Sequence, residues 1–244
     1  MDQIRFYDAY HRQHSLHKVT QMLHMEKRTV IRNLLSQVEV PEARALVVGC
    51  GSGEDTEVVS PPVVGIDLST IALGKARQKY PKHMYLAADA HRLPFASDSF
   101  DIIICSEVIE HVQNPSRMLA EFQAVLKEGG VLLITTPNWL SLYGLARYLG
   151  ELFLRRQVTS GGQPIDHWYT KGFLQKQLSR LFEIREWRGI WFFPPVGLGH
   201  KTLPLSLMVP LFRLLLPIER FLQSRVSGYA HLLAVSCIMR KSHL

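Results

Sequence analysis

The run Ala45 to Gly53, A-L-V-V-G-C-G-S-G, constrains the fold more than any other stretch of the chain. Four apolar residues make a short buried strand. It runs straight into a turn built on Gly49, Gly51 and Gly53, where missing Cβ atoms let another group approach the backbone. Glu54, Asp55 and Thr56 then open a helix, so free backbone N–H groups collect at a spot suited to a carboxylate or a phosphate. Taken alone, the run reads equally as a ligand-binding turn or a tight packing turn.

Strand and helix continue to alternate along the chain. V-V-G-I-D-L at 63–68 is a second buried strand with Asp67 at its end, and Ser69 caps a helix carrying Ile71, Leu73, Ala76 and Tyr80 on one face. Met84 to Ala88 is a third strand, ending at Asp89. Phe100 to Ser106 is a fourth, with little alternation, as expected when helices cover both faces. Asn114-Pro115 starts a helix that Gly129-Gly130 ends, and Val131 to Thr135 is the fifth strand. The alternation predicts an α/β fold with a doubly wound, mostly parallel sheet that binds ligands outside the carboxyl ends of its strands. The glycine turn, Asp67 and Asp89 all fall at that edge.

At 244 residues and 47% hydrophobic, the chain suits one sizeable domain spanning 1–244. It divides into a helical arm (1–40, closed by Pro41), a half carrying the motifs (41–136) and a second half (137–244). In the arm, His11, His14, His17 and His24 sit among Arg and Lys and read as solvated helix surface, not as a metal tract. Cys50, Cys105 and Cys237 fall one per apolar segment and read as reduced core thiols of a cytoplasmic protein. The opening M-D-Q-I-R-F-Y has no apolar core of signal-peptide type, so export is not expected. A net charge of +7 permits an anionic partner without choosing one.

Together the motifs resemble the class I S-adenosylmethionine-dependent methyltransferase family, a seven-stranded Rossmann-like fold, over about residues 30–190 and again at the final strand. The matching pieces are V-V-G-C-G-S-G, V-V-G-I-D-L-S, A-A-D-A-H-R-L-P-F-A-S-D-S-F-D-I-I-I-C-S-E-V-I-E-H-V and L-K-E-G-G-V-L-L-I-T-T-P-N. The third separates this reading from nicotinamide dehydrogenases, which prefer G-x-G-x-x-G; here Glu54 follows Gly53. The resemblance implies S-adenosylmethionine as cofactor. Backbone at Gly49, Gly51 and Gly53 would lie against its methionine and ribose portions, and Asp67 would accept both ribose hydroxyls. Asp89 would accept from the adenine amino group, the Ala90 N–H would address a ring nitrogen, and Leu68 and Leu93 would cover the ring. Ser106 and Glu107 would face the sulfonium and the acceptor. Two departures stand out: Val47 occupies the place of the family's acid, which helps hold the cofactor's amino group, and the helix after Gly53 is about one turn short.

Glu107, Glu110 and His111 lie at i, i+3 and i+4, which predicts one shared helical face. Three readings stay open: His111 as general base oriented by a carboxylate, a divalent metal held by E-x-x-E-H as in ubiquinone-pathway O-methyltransferases with His167 as a further ligand, or simple lining of the pocket.

Beyond the fifth strand, Trp139 to Phe153 reads as an aromatic helix covering the active site and 169–181 as another helix. Phe182 to Phe193 and His231 to Met239 would be the last two strands. Between them, within 203–224, lies an apolar helix pair broken by Pro210, Arg213 and Pro217. It is too interrupted to span a membrane and suits an interface, a dimer or the core. Trp139, Tyr143, Tyr148 and Phe153 predict an apolar entrance, with Arg147, Arg155 and Arg156 able to meet anionic headgroups. The expected function is therefore methyl transfer to a small or lipophilic acceptor, on oxygen, by an enzyme in peripheral contact with a membrane. The alternative is a non-catalytic methyltransferase-like partner subunit. Nucleic acid is not expected as substrate, because Cys105-Ser106-Glu107 stands where base methyltransferases carry N-P-P-Y.

Overall fold

The four residues of β1 (Ala45–Val48) are buried to 1% exposure or less, because the strand sits mid-sheet with its side chains alternating between two cores. Leu46 and Val48 face one core, Ala45 and Val47 the other. Leu46, Val47 and Val48 each contribute about 1.5–3 kcal/mol by leaving water. The structure is a computed structural model that describes residues 3–13, 18–36, 43–59, 63–155, 163–192, 197–198, 201–202 and 205–240. His14, His17, Pro41, Arg156 and Leu203 lie outside the described residues, as does Phe193 at the expected end of the sixth strand.

The sheet also contains β2 (Val63–Asp67), β3 (Met84–Ala87), β4 (Phe100–Ser106), β5 (Leu126–Pro137), β6 (Phe182–Ile190) and β7 (Leu232–Met239). Their order is β3-β2-β1-β4-β5-β7-β6. The first five run parallel, and β7 lies antiparallel between β5 and β6. The seven-stranded Rossmann-like arrangement thus forms as expected, and β5 begins five residues earlier than its apolar run. Chain order reverses between β1 and β4, which leaves the crevice at their carboxyl ends.

Helices α1 (Gln3–Gln13) and α2 (Lys18–Leu35) form the arm. One face of the sheet is covered by α2, through Val30, Ile31 and Leu34, and by α3 (Thr70–Lys79), through Leu73 and Ala76. The other is covered by α4 (Pro115–Val125) and α6 (Lys171–Leu178). Ser69 caps α3 by accepting the Ala72 N–H at 3.1 Å, and Asn114 caps α4. The helix expected to cover the active site, α5 (Leu142–Leu154), starts at its Ser141 cap, so Trp139 precedes it.

Residues 205–225 are not a helix pair. Helix α7 (Leu205–Arg225) runs unbroken through Pro210 and Pro217. It buries Glu219 and Gln223 and exposes Leu211, Leu214, Ile218 and Phe221. The inversion has a local cause: both Glu219 carboxylate oxygens accept the Phe192 N–H, at 2.9 and 3.0 Å, and the Gln223 amide donates to Glu26 at 3.2 Å.

Candidate active site

Glycine is required three times in the turn after β1, at Gly49, Gly51 and Gly53, the last with φ +90 and a Cβ that would stand 2.8 Å from Tyr80 Cδ2. Gly49 has φ +62, and a Cβ there would stand 2.3 Å from Val108 Cγ2; Gly51 has φ +51, and a Cβ there would meet only His11, at 3.6 Å. The turn leads into a single 3-10 turn, Glu54–Val58, in place of a full helix. Asp67, ending β2, braces it from below. One carboxylate oxygen accepts the Gly51 N–H and the other the Ser69 N–H, each at 2.8 Å. Each oxygen keeps a further lone pair.

The arm roofs this turn. Asp8 accepts the Ser69 hydroxyl at 2.6 Å, Lys75 donates to the His11 carbonyl, and the Gln3 amide donates to the His111 carbonyl at 3.5 Å. Burial, with the Asp67 carboxylate next in weight, raises the Tyr7 pKa. His11 and His24 therefore do not belong to a solvated polar face. Burial lowers the pKa of both, and His24 is next affected by the charge of Lys27.

At the end of β3, Asp89 is exposed and its Oδ1 accepts both the backbone and the ring N–H of His91, each at 2.8 Å. Burial works against its charge, yet those bonds hold its pKa below the ordinary value. Ala90 and Leu93 are buried beside it, and Leu68 is half-buried beside Asp67. Ser106 is buried and its hydroxyl pairs with that of Thr135 at 3.0 Å, so it does not stand open at the mouth of β4.

The shared helical face expected of Glu107, Glu110 and His111 is not formed. Glu107 takes φ +55, and only Ile109–His111 form a 3-10 turn, so the Glu107 side chain parts from the other two while Glu110 and His111 stay neighbours. Glu107 accepts from Lys27 at 2.9 Å. Burial would raise its pKa, but the Lys27 charge and then His24 pull it down to about 2. Glu110 is buried against the Thr136 hydroxyl at 3.0 Å; burial, then the charge of Glu107, raises its pKa well above the ordinary value. His111 shares its Nδ1 with the Ile165 carbonyl at 2.9 Å, and its Nε2 is 3.8 Å from Glu110. His167 is exposed and joins Glu110 only through its backbone N–H. Among the described residues no group of three or more His, Cys, Asp or Glu is placed to hold a metal ion, so the divalent-metal reading finds no support.

Sequence reasoning missed Lys27. It is 3% exposed and donates to Asp55 at 3.2 Å as well as to Glu107. Burial opposes its charge, but the two carboxylates raise its pKa. The signal was present: Lys27 begins the spacing Lys27, Val30, Ile31, Leu34, placing a cation on the core-facing side of α2. Also missed was His231, just before β7 at the same sheet edge. Its ring lies 4.1 Å from Tyr143 and 6.0 Å from Trp191.

Residues 46–134 match a family model described as a methyltransferase domain. The chain is 32% identical over 123 residues to a ubiquinone biosynthesis O-methyltransferase of Coxiella burnetii, covering 48% of this chain and 53% of that protein. It spans about half or less of the length of the curated relatives it matches. A solved S-adenosylmethionine-dependent methyltransferase of Thermotoga maritima aligns with TM-score 0.65 and 18% identity, over 97% of each chain. The magnesium protoporphyrin IX methyltransferase of Synechocystis, solved with S-adenosylhomocysteine bound, aligns with TM-score 0.63 and 15% identity, over 98% of this chain and 96% of that one. At these identities the structural matches bear on the fold.

Proposed function

The chain belongs to the class I S-adenosylmethionine-dependent methyltransferase family, and on that premise we propose that it transfers the methyl group of S-adenosylmethionine to an oxygen of a small or lipophilic acceptor. The observation that carries the reading is the Asp67 carboxylate, bonded to Gly51 and Ser69 at 2.8 Å while keeping lone pairs for two vicinal hydroxyls. The residues fit a nucleoside. Gly51 leaves an uncrowded approach, Asp67 suits a ribose, and Leu68 and Leu93 offer apolar cover to a base.

When bound, the sulfonium supplies an electrophilic methyl carbon, and catalysis rests on alignment for in-line attack. The protein's own part is to orient the acceptor, exclude water and take up its proton. His111 suits the last task. Its Nδ1–H donates to Ile165, which leaves the lone pair on Nε2, and burial lowers its pKa so that the ring is neutral near pH 7. Transfer to oxygen is supported by the similarity to the ubiquinone biosynthesis O-methyltransferase. Calorimetry with S-adenosylmethionine tests the reading: wild type binds, and Asp67→Ala loses at least tenfold. Absence of wild-type binding at millimolar cofactor overturns it.

A second reading concerns where the acceptor is found. Among the described residues no helix is long and apolar enough to cross a membrane. Leu211, Leu214, Ile218 and Phe221 nevertheless form an exposed stripe along α7, and Leu145, Leu149 and Leu152 one along α5. With exposed Arg213 and Arg225 on α7, these support a lipid-like acceptor taken at an anionic bilayer surface. Sedimentation with anionic vesicles checks this: wild type should pellet and a Leu211→Glu, Leu214→Glu variant stay in solution.

A further inference from the structure

We infer that Lys27, Asp55 and Glu107 form the subsite for the zwitterionic amino-acid end of the cofactor, so that the N-terminal arm itself takes part in cofactor recognition. This rests on the reading of S-adenosylmethionine as the cofactor.

Position is the first argument. β1 and β4 are neighbouring strands with Val48 opposite Cys105. Asp55 stands two residues beyond the glycine turn, and Glu107 directly follows β4. The two carboxylates therefore flank the turn, and Lys27 bridges them from α2. Helix α2 is fastened over the same 3-10 turn by Arg28, which donates to the Glu54 carbonyl at 3.4 Å, and Arg32, which donates to the Glu57 carbonyl at 3.2 Å.

Hydrogen-bond arithmetic is the second. The Lys27 ammonium has three protons and, among the described residues, two acceptors. Its side chain is 4% exposed, so water is a poor source of a third. Asp55 accepts from Lys27 through Oδ2, whereas its Oδ1 is sealed from solvent and, among the described residues, has no donor. Buried polar atoms without partners are uncommon and call for a ligand or a strain account. One unused donor beside one unused acceptor matches an α-carboxylate beside an α-ammonium.

Charge is the third. Two carboxylates surround one ammonium, and burial keeps His24 neutral near pH 7, which leaves one negative charge in excess for the ligand's ammonium to meet. Val47, buried and apolar, contributes no charge from β1. Glu107 also holds a left-handed backbone, fixed by its N–H donating to the Thr135 carbonyl at 2.9 Å, a conformation that side chains keep where the surroundings enforce it.

The test compares two ligands on the full chain by calorimetry: S-adenosylhomocysteine, which carries the amino-acid end, and 5′-methylthioadenosine, which lacks it. Wild type should bind S-adenosylhomocysteine the more tightly. Lys27→Met and Asp55→Asn should each weaken S-adenosylhomocysteine at least tenfold while leaving 5′-methylthioadenosine within twofold. Removing Lys27 strands two carboxylates and endangers folding; if that variant does not fold, the isosteric Asp55→Asn decides alone. Unchanged S-adenosylhomocysteine affinity in Asp55→Asn, or equal loss of both ligands, overturns the inference. Wild type that binds neither ligand overturns the proposed function first and this inference with it.

Discussion

Arg147 of α5 and Asp166 form a buried ion pair, Nη1 to Oδ2 at 2.8 Å, with the two side chains 5% and 1% exposed. The guanidinium also reaches the Asp166 carbonyl at 3.1 Å and Glu151 at 3.0 Å, and it lies beside both Trp139 and Trp168, 5.1 and 4.8 Å from their ring centroids. An arginine expected to meet lipid headgroups instead fastens α5 to Asp166. Removing one partner of such a pair leaves a buried charge uncompensated. Arg147→Ala should therefore lower stability by about 3–5 kcal/mol in denaturant titrations, and Arg155→Ala, at the exposed end of α5, by less than about 0.5 kcal/mol.

At the glycine turn, Gly49→Ala places its methyl group against Val108 and forces an L residue to positive φ. The two effects together should cost about 3 kcal/mol. Adding Val108→Ala removes the clash and leaves the backbone strain, so the double variant should recover part of the loss. Thermal unfolding of the three proteins checks this; a double variant no more stable than Gly49→Ala would show that the contact with Val108 does not limit the position.

Helix α7 inverts the usual pattern, and substitutions should follow its burial, not its hydropathy. Leu214 is 74% exposed, so Leu214→Glu should change stability by less than about 0.5 kcal/mol. Glu219→Ala strips the Phe192 N–H of both its acceptors and should cost about 1–3 kcal/mol. Unfolding of Leu214→Glu would mean that the apolar stripe is covered.

His231 supplies a pH dependence. Burial pushes its pKa down from 6.5 to about 4. Between those values the unfolded chain binds a proton that the folded chain refuses, so stability is full above pH 6.5 and falls as pH drops through the window toward 4. The contribution is up to about 3 kcal/mol. His231→Phe keeps an aromatic ring beside Tyr143 and Trp191 and should flatten the stability profile between pH 4.5 and 7. Glu107, with its pKa lowered to about 2, adds a separate loss of the same sign below its ordinary value of 4.5.

The strands and their order of alternation with helices were legible in the chain because they depend on local patterning. β4 and β1 are continuous apolar runs since both faces are covered, and Ser69 and Asn114 cap α3 and α4 by bonds that span three residues. The glycine turn and Asp67 were legible for the same reason, as each sits where a strand ends. What E-x-x-E-H becomes was not legible. Spacing predicts a shared face only if the segment is an α-helix, and Val108 packed on Gly49, with Lys27 drawing on Glu107 from 80 residues away, imposes another backbone. The roles of Lys27, Arg147 and Glu219 were likewise decided by tertiary structure alone. A charged side chain stays buried only where a distant partner compensates it, and that partner, Asp55, Asp166 or the Phe192 N–H, is brought to it by the fold and by no local rule.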